Sequence, residues 1–402
     1  MIRVSSIFSQ MLQLFSRQEF EQAVAEHRAE RHARGFSCWG QFVAMLFCHL
    51  GRAQSLREIC GGLAASEGKL RHLGLPDAPK RSTLAYANEH RPWQLYRAVF
   101  YQLLGRCREA SGPHGFRFKN KLLSLDATLI ELCASVFDWA HYRRTKGAVK
   151  LHLLLDHQGL LPSFALVTEG RVHESRVART LRFDPGTIVV LDRGYTDYAW
   201  FSALDADSVY FVTRMKDNAD YGVLERRPVP ERGPVQRDEI IFLYKLARSG
   251  GRDLFLRRIE VWDETQGRTL VFLTNHRRLA ASTIAAIYRQ RWQIELFFKA
   301  LKQNLRIKTF VGTSANALQI QVWTALIALL LLKYLQLRAR FGWSLSNLAA
   351  LLRQQLFVYR DLFSWIDQPF QPPPQLAPIA EQIPLAWGSN LDSRMATSTS
   401  NP

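Results

Sequence analysis

Residues 121–213 contain a series of apolar runs whose order constrains the fold more than any other part of the chain. Runs typical of β-strands cover residues 121–130, 149–156, 164–168, 187–191 and 209–213. Helices are predicted over residues 174–181 and 197–204. Three strands, a helix, a strand, a helix and a strand predict one α/β sheet, with an antiparallel first hairpin and parallel strands after it.

Two aspartates stand out in this series, because Asp is depleted in strand interiors. Asp126 lies in the middle of the first strand, and Asp192 closes the most apolar strand. The carboxyl ends of strands are where α/β sheets place their ligands. Both acids also have structural interpretations. Asp192 can be a turn former, and Asp126 can be a buried acid paired with Arg143 or Lys150.

A third acid lies on a single helix predicted over residues 287–308. With about 100° of rotation per residue, one stripe of that helix carries Tyr288, Arg291, Glu295, Lys299, Lys302 and Arg306. One carboxylate in a row of cationic and phenolic donors suits a metal-bound phosphodiester, since the acid holds the cation and the basic groups grip flanking phosphates. The alternative is a solvated helix face on which Glu295 pairs with Lys299 or Lys302.

Acids from a first strand, a later strand and a helix packed across them can converge on one point. Asp126, Asp192 and Glu295 would repel one another there unless a cation neutralised them. Oxygen-only ligands fit Mg²⁺ or Mn²⁺ rather than Zn²⁺, and two such ions can drive an in-line phosphoryl displacement. Glu174 is interpreted as a first-turn helix acid, with a position near the metal ions as its alternative.

The charge of the chain points to its partner. Lys and Arg number 53 against 35 acids, which gives a formal net charge of +18. That field favours a polyanion, with nucleic acid first and an anionic membrane second. The most apolar segment, residues 322–332, is too short to span a bilayer and predicts a buried helix.

The cysteines and the N-terminus predict a compartment. The five cysteines show no metal-ligand spacing, so they are interpreted as reduced core thiols: Cys38, Cys48, Cys60, Cys107 and Cys133. Nothing at the N-terminus resembles a signal peptide. We therefore expect a cytoplasmic, nucleoid-associated protein that makes no membrane contact.

Residues 1–114 are predicted to be all-helical. Ser55 opens a short helix in a capping box, and residues 80–91 predict another helix with Ser82 or Thr83 as its N-cap. The pair is compatible with a DNA-reading helix-turn-helix and equally with an ordinary helical hairpin. Residues 111–115 are interpreted as a linker.

The polar stripe carries a family resemblance. The spacing Tyr288-x2-Arg291-x3-Glu295-x6-Lys302 resembles the signature of the bacterial insertion-sequence-4 family of transposases. Asp126 within LSLDAT and Asp192 within LDRGY look like the other two acids of that family's DDE triad. The resemblance covers about residues 115–345.

The resemblance implies an α/β ribonuclease-H-like catalytic domain with a β-rich insertion, preceded by an N-terminal DNA-binding region. The expected regions are the all-α N-terminal DNA-binding region at 1–114, a first core part at 115–213, the insertion at 214–280 and a second core part with the catalytic helix at 281–345. Beyond the resemblance, the sequence itself predicts a helical C-terminal region at 346–387 and, from its small polar residues, a disordered tail at 388–402.

The resemblance also implies an activity. The three acids would bind two Mg²⁺ ions, with Mn²⁺ as a substitute, while Tyr288, Arg291, Lys299 and Lys302 would hold DNA. The protein would bind the terminal inverted repeats of its element as a homodimer, and then cut and transfer strands into target DNA. A tryptophan of the insertion, here Trp262, would contact a flipped base. The alternatives are a nuclease without strand transfer and a non-catalytic DNA-binding regulator.

Overall fold

The computed structural model of the chain describes residues 5–31, 33, 35–66, 68–132, 141–143, 146–244, 254–304 and 310–371. Cys133, Arg306 and the predicted tail at 388–402 lie outside these ranges, as do residues 372–387 of the predicted C-terminal region. The four cysteines among the described residues are free thiols, as predicted: Cys38, Cys48, Cys60 and Cys107.

Among the described residues, strands and helices alternate between residues 122 and 274, and helices dominate before and after that stretch. The strands are β1 (Leu122–Leu132), β2 (His141–Arg143), β3 (Lys146–Asp156), β4 (Leu161–Glu169), β5 (Ile188–Leu191), β6 (Tyr210–Arg214), β7 (Tyr221–Arg226), β8 (Val235–Leu243), β9 (Phe255–Asp263) and β10 (Arg268–Thr274). The helices of the first half are α1 (Ile7–Leu12), α2 (Arg17–Glu26), α3 (Cys38–Leu50), α4 (Leu56–Ala64), α5 (Arg81–His90), α6 (Gln94–Glu109), α7 (Glu174–Ala178) and α8 (Tyr198–Ala206). Those of the second half are α9 (Ala281–Gln290), α10 (Trp292–Asn304), α11 (Ala315–Arg338), α12 (Leu345–Gln355) and α13 (Leu362–Asp367).

The central sheet has the predicted mixture of directions. β1 pairs with β3 and β3 with β4 in antiparallel fashion, whereas β1–β5 and β5–β6 are parallel. The antiparallel first hairpin and the parallel strands after it are therefore confirmed. These strands carry apolar side chains on both faces, because helices cover both faces of the sheet.

The β-rich segment after β6 extends the same sheet. β10 pairs antiparallel with β6, and β9, β8 and β7 follow in that order toward the edge. The described part of residues 214–280, where a β-rich insertion was expected, contains β7, β8, β9 and β10, while the short β2 was not predicted. Buried ion pairs tie β8 to β9, among them Arg257 to Asp238 at 2.6 Å.

One helical body contains the first and the last helices that the structure describes, α1 and α13. Helix α11 runs through its centre, and α3, α5, α6 and α12 pack around it. The N-terminal and C-terminal helices are also joined directly, since Phe8 N donates to Leu356 O at 2.8 Å and Ser6 forms a β-bridge with Tyr359. Residues 5–114 and 310–367 thus share one hydrophobic core.

Helix α11 corrects one expectation. The apolar segment predicted as too short for a membrane lies in a helix of 24 residues, which by length and composition could cross one. That helix is instead surrounded by protein, with 83% of its apolar window buried. The prediction of a buried helix is confirmed, on the ground of packing rather than length.

The predicted helix-turn-helix is not formed in the usual geometry. Ser55 does cap α4, accepting from Glu58 N at 3.1 Å. However, α5 begins after Lys80, so Ser82 and Thr83 lie inside its first turn, and the N-cap prediction was wrong. Residues 65–80, including a short 3₁₀ turn at Leu70–Leu73, separate the two helices where a helix-turn-helix has a turn of about 3–4 residues.

Candidate active site

Sheet register places the two aspartates side by side. Leu125 of β1 pairs with Leu191 of β5 in parallel, so the next residues, Asp126 and Asp192, lie on neighbouring strands at the same level. Asp192 follows directly after the last residue of β5 and accepts a hydrogen bond from Gly194 N at 3.2 Å. It is therefore a turn former as well as a neighbour of Asp126.

The structural alternative for Asp126 does not hold for Lys150. Lys150 Nζ contacts Glu174 Oε1 at 2.7 Å and Val172 O at 2.8 Å. The side chain of Arg143 lies outside the described part of the chain. Asp126 instead pairs with Arg291, whose Nη1 lies 3.3 Å from Asp126 Oδ2.

The helix that carries Glu295 is two helices and not one. α9 ends at Gln290 and α10 begins at Trp292. At the junction Arg291 N donates to Tyr288 O at 3.0 Å, a three-residue step that tightens the turn. The prediction of one continuous helix over residues 287–308 was wrong at this point, and residues 305–309 lie outside the described ranges.

Arg291 lies between two of the acids. Its Nη2 contacts Glu295 Oε1 at 2.5 Å while its Nη1 faces Asp126, and its Nε is buried without a hydrogen-bond partner in the described structure. The side chains of Arg291 and Asp126 are largely buried, at 14% and 18% exposure. Arg291, which the resemblance assigned to DNA phosphates, thus contacts both the strand acid Asp126 and the helix acid Glu295.

Burial dominates the electrostatics of Asp126. Removal from water raises its pKa to about 6, and the charges of Asp192 and Glu295 act in the same direction. The Ala127 N–H, at 2.8 Å, and Arg291 oppose the shift. Three carboxylates close enough to perturb one titration form a site of excess negative charge, which favours a cation.

The donor set fits a hard divalent cation in its chemistry. Asp126, Asp192 and Glu295 offer only carboxylate oxygens, which Mg²⁺ and Mn²⁺ prefer. Within the described ranges, however, no three His, Cys, Asp or Glu side chains are grouped closely enough to hold a metal ion. Arg291 supplies positive charge to two of these acids instead.

Tyr288 is a core residue at the edge of the site. Its side chain is 8% exposed, and its ring packs against Phe272 with centroids 5.0 Å apart. Burial raises the pKa of its hydroxyl. Phe272, a strand residue distant in sequence, thus covers the ring of Tyr288, and the predicted contact of Tyr288 with DNA stays a prediction.

The two lysines of the stripe lie beside the acids. Lys302 Nζ contacts Thr128 Oγ1 at 2.5 Å, and Lys299 is exposed. Both line a cleft of about 620 Å³ together with Asp126 and Glu295. Within the described structure Glu295 forms an ion pair with Arg291, whereas the solvated-face alternative assigned it to Lys299 or Lys302.

A second cleft, of about 660 Å³, has Asp192 in its lining. It is lined by Trp262 of β9, by Tyr288 and by Trp292, with exposures of 41% for Trp262 and 56% for Trp292. Trp262 had been singled out in the sequence, whereas Trp292 had not. The sequence did contain a signal for Trp292, which directly follows Arg291 of the spaced motif. An aromatic side chain beside a polar helix stripe has no core to pack into.

Comparisons with known proteins identify the family of the chain. The family model for the transposase DDE domain matches residues 117–331, and a model described as a domain of unknown function matches residues 3–76. A protein of Sinorhizobium fredii named as transposase y4zB is 31% identical over 312 residues, which are 76% of this chain and 85% of that protein.

Two further similarities were found. A transposase of the insertion sequence element IS5377 from Geobacillus stearothermophilus is 28% identical over 256 residues, covering 63% of this chain and 67% of that protein. The piggyBac transposase solved in a synaptic complex with hairpin DNA is 11% identical with a TM-score of 0.44, over 92% of this chain and 81% of that one. That structural similarity is too weak to support any argument.

The family match covers more than half of the chain and includes Asp126, Asp192 and Glu295. It agrees with the resemblance to insertion-sequence transposases that the spaced motif carries. The chain belongs to the family of DDE-domain transposases.

Proposed function

We propose that the protein excises and inserts its insertion sequence by metal-dependent strand cleavage and strand transfer at a ribonuclease-H-like active site. The observation that carries the proposal is the placement of Asp126 and Asp192 on neighbouring strands, with Glu295 joined to Asp126 through Arg291. A DNA-binding regulator without catalysis has no need for acids grouped in this way.

The three acids hold the metal ions, two Mg²⁺ or Mn²⁺ in our proposal. Bound ions supply an activated water or 3′-hydroxyl and stabilise the leaving oxygen. Asp126 binds as a carboxylate on a rigid strand, and Glu295 approaches from the helix. Arg291 contacts both acids, and it would hold DNA beside them in the metal-loaded site.

DNA lies along the cationic side of this site. Lys299 and Lys302 share a cleft with Asp126 and Glu295, so a phosphate contacting them lies beside the acids. Trp262 and Trp292 line the cleft that reaches Asp192 and provide ring faces for an unstacked base.

The ends of the element are read by the N-terminal helices. On α5, Leu84 and Ala87 are buried, while Arg81 is exposed and Tyr86 is 65% exposed with its ring stacked 4.0 Å from that of His90. An exposed arginine and an aromatic stack on one helix suit contact with DNA. We assign recognition of the terminal repeats to this helix within residues 1–114.

The partners follow from the same proposal. Two element ends have to be cut and joined, so we infer a homodimer on DNA, with one active site at each end. A cytoplasmic, nucleoid-associated location agrees with the net charge of +18 and the free thiols.

Incubating the purified protein with its flanked terminal DNA, Mg²⁺ and a target duplex tests the proposal. We expect nicks at the element ends followed by products in which those ends are joined to the target. Nicks without joined products would favour the second candidate, a nuclease without strand transfer. Bound but uncut DNA would overturn the proposal in favour of a regulator, with Asp126→Asn as the control for contaminating nucleases.

A further inference from the structure

A basic groove lies on the face of the sheet opposite Lys302. Along β1 successive side chains point to opposite faces. Thr128 contacts Lys302 on one face, and the next residue, Leu129, is paired in register with Lys150 on the other. Lys150 in turn contacts Val172 and Glu174, which places the loop before α7 on that second face.

The groove measures about 810 Å³, and its charged lining is mostly arginine. Arg171, Arg176 and Arg179 line it against a single acid, Glu169, which Arg171 already pairs at 2.7 Å. Arg179 Nε donates to Asp197 Oδ2 at 2.8 Å, which fixes its position. Arg176 is exposed, and no ion pair resolved in the described ranges involves it.

The groove is held rigidly beside the candidate active site. Helix α7 packs against the 3₁₀ turn Arg193–Tyr195, which begins immediately after Asp192. The Lys150–Glu174 ion pair, with side-chain exposures of 9% and 30%, ties α7 to the strand next to Asp126. Cations therefore lie on both sides of the acids, with Lys299 and Lys302 on one face and the arginine groove on the other.

We propose that this groove binds the phosphodiester backbone of a DNA segment that continues past the acids, away from the element's own terminal repeat. The inference rests on the proposed function, because a strand to be cut or joined passes across the acids. Guanidinium groups bind phosphates in a bidentate manner, and a fixed row of them can hold successive phosphates. The segment is either the DNA that flanks the element or the target duplex, which share this chemistry.

Arg176 gives the cleanest test, and Arg182 is its matched control. Arg182 is also exposed, but its Nη1 donates to the carbonyls of Arg179 and Leu181 and it does not line the groove. Arg176→Ala, Arg176→Glu, Arg182→Ala and Arg182→Glu would be compared by salt-dependent DNA binding in EDTA. The probes are a terminal repeat ending at the cleavage site, the same repeat with flanking DNA, and an unrelated duplex added to the repeat-bound protein.

We expect Arg176→Ala to lower the salt slope by about one unit, and Arg176→Glu to lower it further, on the flanked repeat or on the unrelated duplex. A lower salt slope on the flanked repeat would identify flanking DNA as the bound segment, and a lower salt slope on the unrelated duplex would identify target DNA. Equal behaviour of the Arg176 and Arg182 variants on all probes would overturn the proposal. An equal loss on the repeat that ends at the cleavage site would also overturn it.

Cleavage by the wild-type protein in Mg²⁺ is scored separately from these binding measurements. If DNA binding depends on Arg176 but the wild type cleaves no DNA, the proposed function is refuted and the assignment of the groove to DNA stands. If the wild type cleaves and transfers strands but DNA binding does not depend on Arg176, the assignment of the groove to DNA is refuted and the proposed function stands. Thermal unfolding of each variant, expected to match the wild type because both arginines are exposed, excludes misfolding as the cause.

Discussion

Arg291 Nη1 lies 3.3 Å from Asp126 Oδ2, in a contact that joins residues 165 positions apart in the chain. The same guanidinium contacts Glu295 one helical turn later. A single cation therefore neutralises the acid of the central strand and the acid of the helix. Because the side chain of Asp126 is mostly buried, water solvates its carboxylate poorly, and Arg291 supplies the compensating positive charge.

Replacing Arg291 should destabilise the metal-free protein more than the metal-loaded one. Arg291→Ala leaves Asp126 and Glu295 without their shared cation, and we expect a loss of about 1–3 kcal/mol in the free energy of unfolding in EDTA. Thermal or urea unfolding with and without Mn²⁺ measures this. Added Mn²⁺ should recover more stability in Arg291→Ala than in the wild type.

Arg291→Lys is the matched variant, since it keeps the charge and loses the forked geometry. It should fall between the wild type and Arg291→Ala in EDTA. A loss of stability in Arg291→Ala that Mn²⁺ does not reduce would contradict the idea that the cation and the metal ions serve the same acids.

The acids themselves should be needed for chemistry and not for binding. Asp126→Asn, Asp192→Asn and Glu295→Gln each remove a metal ligand, so we expect cleavage to fall by roughly 1,000-fold or more, equivalent to several kcal/mol of barrier. Binding to terminal DNA should stay close to that of the wild type. Gel-based nicking and binding assays on the same preparations decide it, and near-normal nicking by any variant would remove that residue from the triad.

Stability should depend on pH through Asp126. Its pKa is raised from 3.8 to about 6 in the fold, so its ionisation disfavours the folded state. Protonated Asp126 therefore contributes to the free energy of unfolding in full below about pH 3.8, and this contribution is lost as the pH rises through 6. In EDTA, the wild type should lose at most about 3 kcal/mol relative to Asp126→Asn across that window.

Metal binding should show the opposite trend. A cation needs the carboxylate form of Asp126, so the stabilisation by Mn²⁺ should grow between pH 4 and pH 7 in the wild type. Unfolding curves at several pH values, with EDTA or Mn²⁺, measure both effects. A pH dependence that is the same in Asp126→Asn and the wild type would show that another group titrates.

The sheet could be predicted from the sequence because its signal is local. Short apolar runs bounded by turns gave the central strands and their order, and Asp126 stood out because a strand interior rarely holds an acid. The placement of Asp126 beside Asp192 also needs the register of the two strands, because Asp126 lies inside β1 whereas Asp192 follows the last residue of β5.

The contacts within the site could not be predicted in the same way. A helical stripe gives the direction of a side chain and not its partner, so the contact of Arg291 with Asp126 was not predicted. The burial of Tyr288 depends on Phe272, and the shared core of the two chain ends depends on pairs such as Ser6 and Tyr359. These contacts link residues far apart in sequence, which periodicity does not report.

The lysines of the stripe should contribute to DNA affinity in unequal ways. Lys299→Ala and Lys302→Ala should each lower the salt slope of terminal DNA binding by about one unit if each contacts a phosphate. Lys302 also contacts Thr128 on β1, so its loss should reduce stability slightly, whereas the exposed Lys299 should not. Salt titrations combined with thermal unfolding separate the two effects, and an unchanged slope for both would leave the cleft without a DNA role.

The last prediction concerns the sequence preference of the protein. A fragment starting near Ser111 would seem the direct test of the N-terminal helices, but α3 and α6 cover α11, and Trp323 within it is only 2% exposed. Removing those helices would expose a long apolar helix to water, so we expect an aggregating fragment rather than a nuclease without specificity. Point variants on the exposed face of α5 keep the core intact.

Arg81→Ala and Tyr86→Ala should therefore reduce the preference for terminal over scrambled duplex while leaving metal-dependent cleavage of scrambled DNA unchanged. A lost base contact is worth about 1–3 kcal/mol of discrimination, which is a change of roughly 5- to 150-fold in the ratio of dissociation constants. Arg108→Ala, an exposed arginine of α6, is the matched control for charge. Full preference in both α5 variants would assign the reading of sequence to another surface, such as the β7–β10 extension of the sheet.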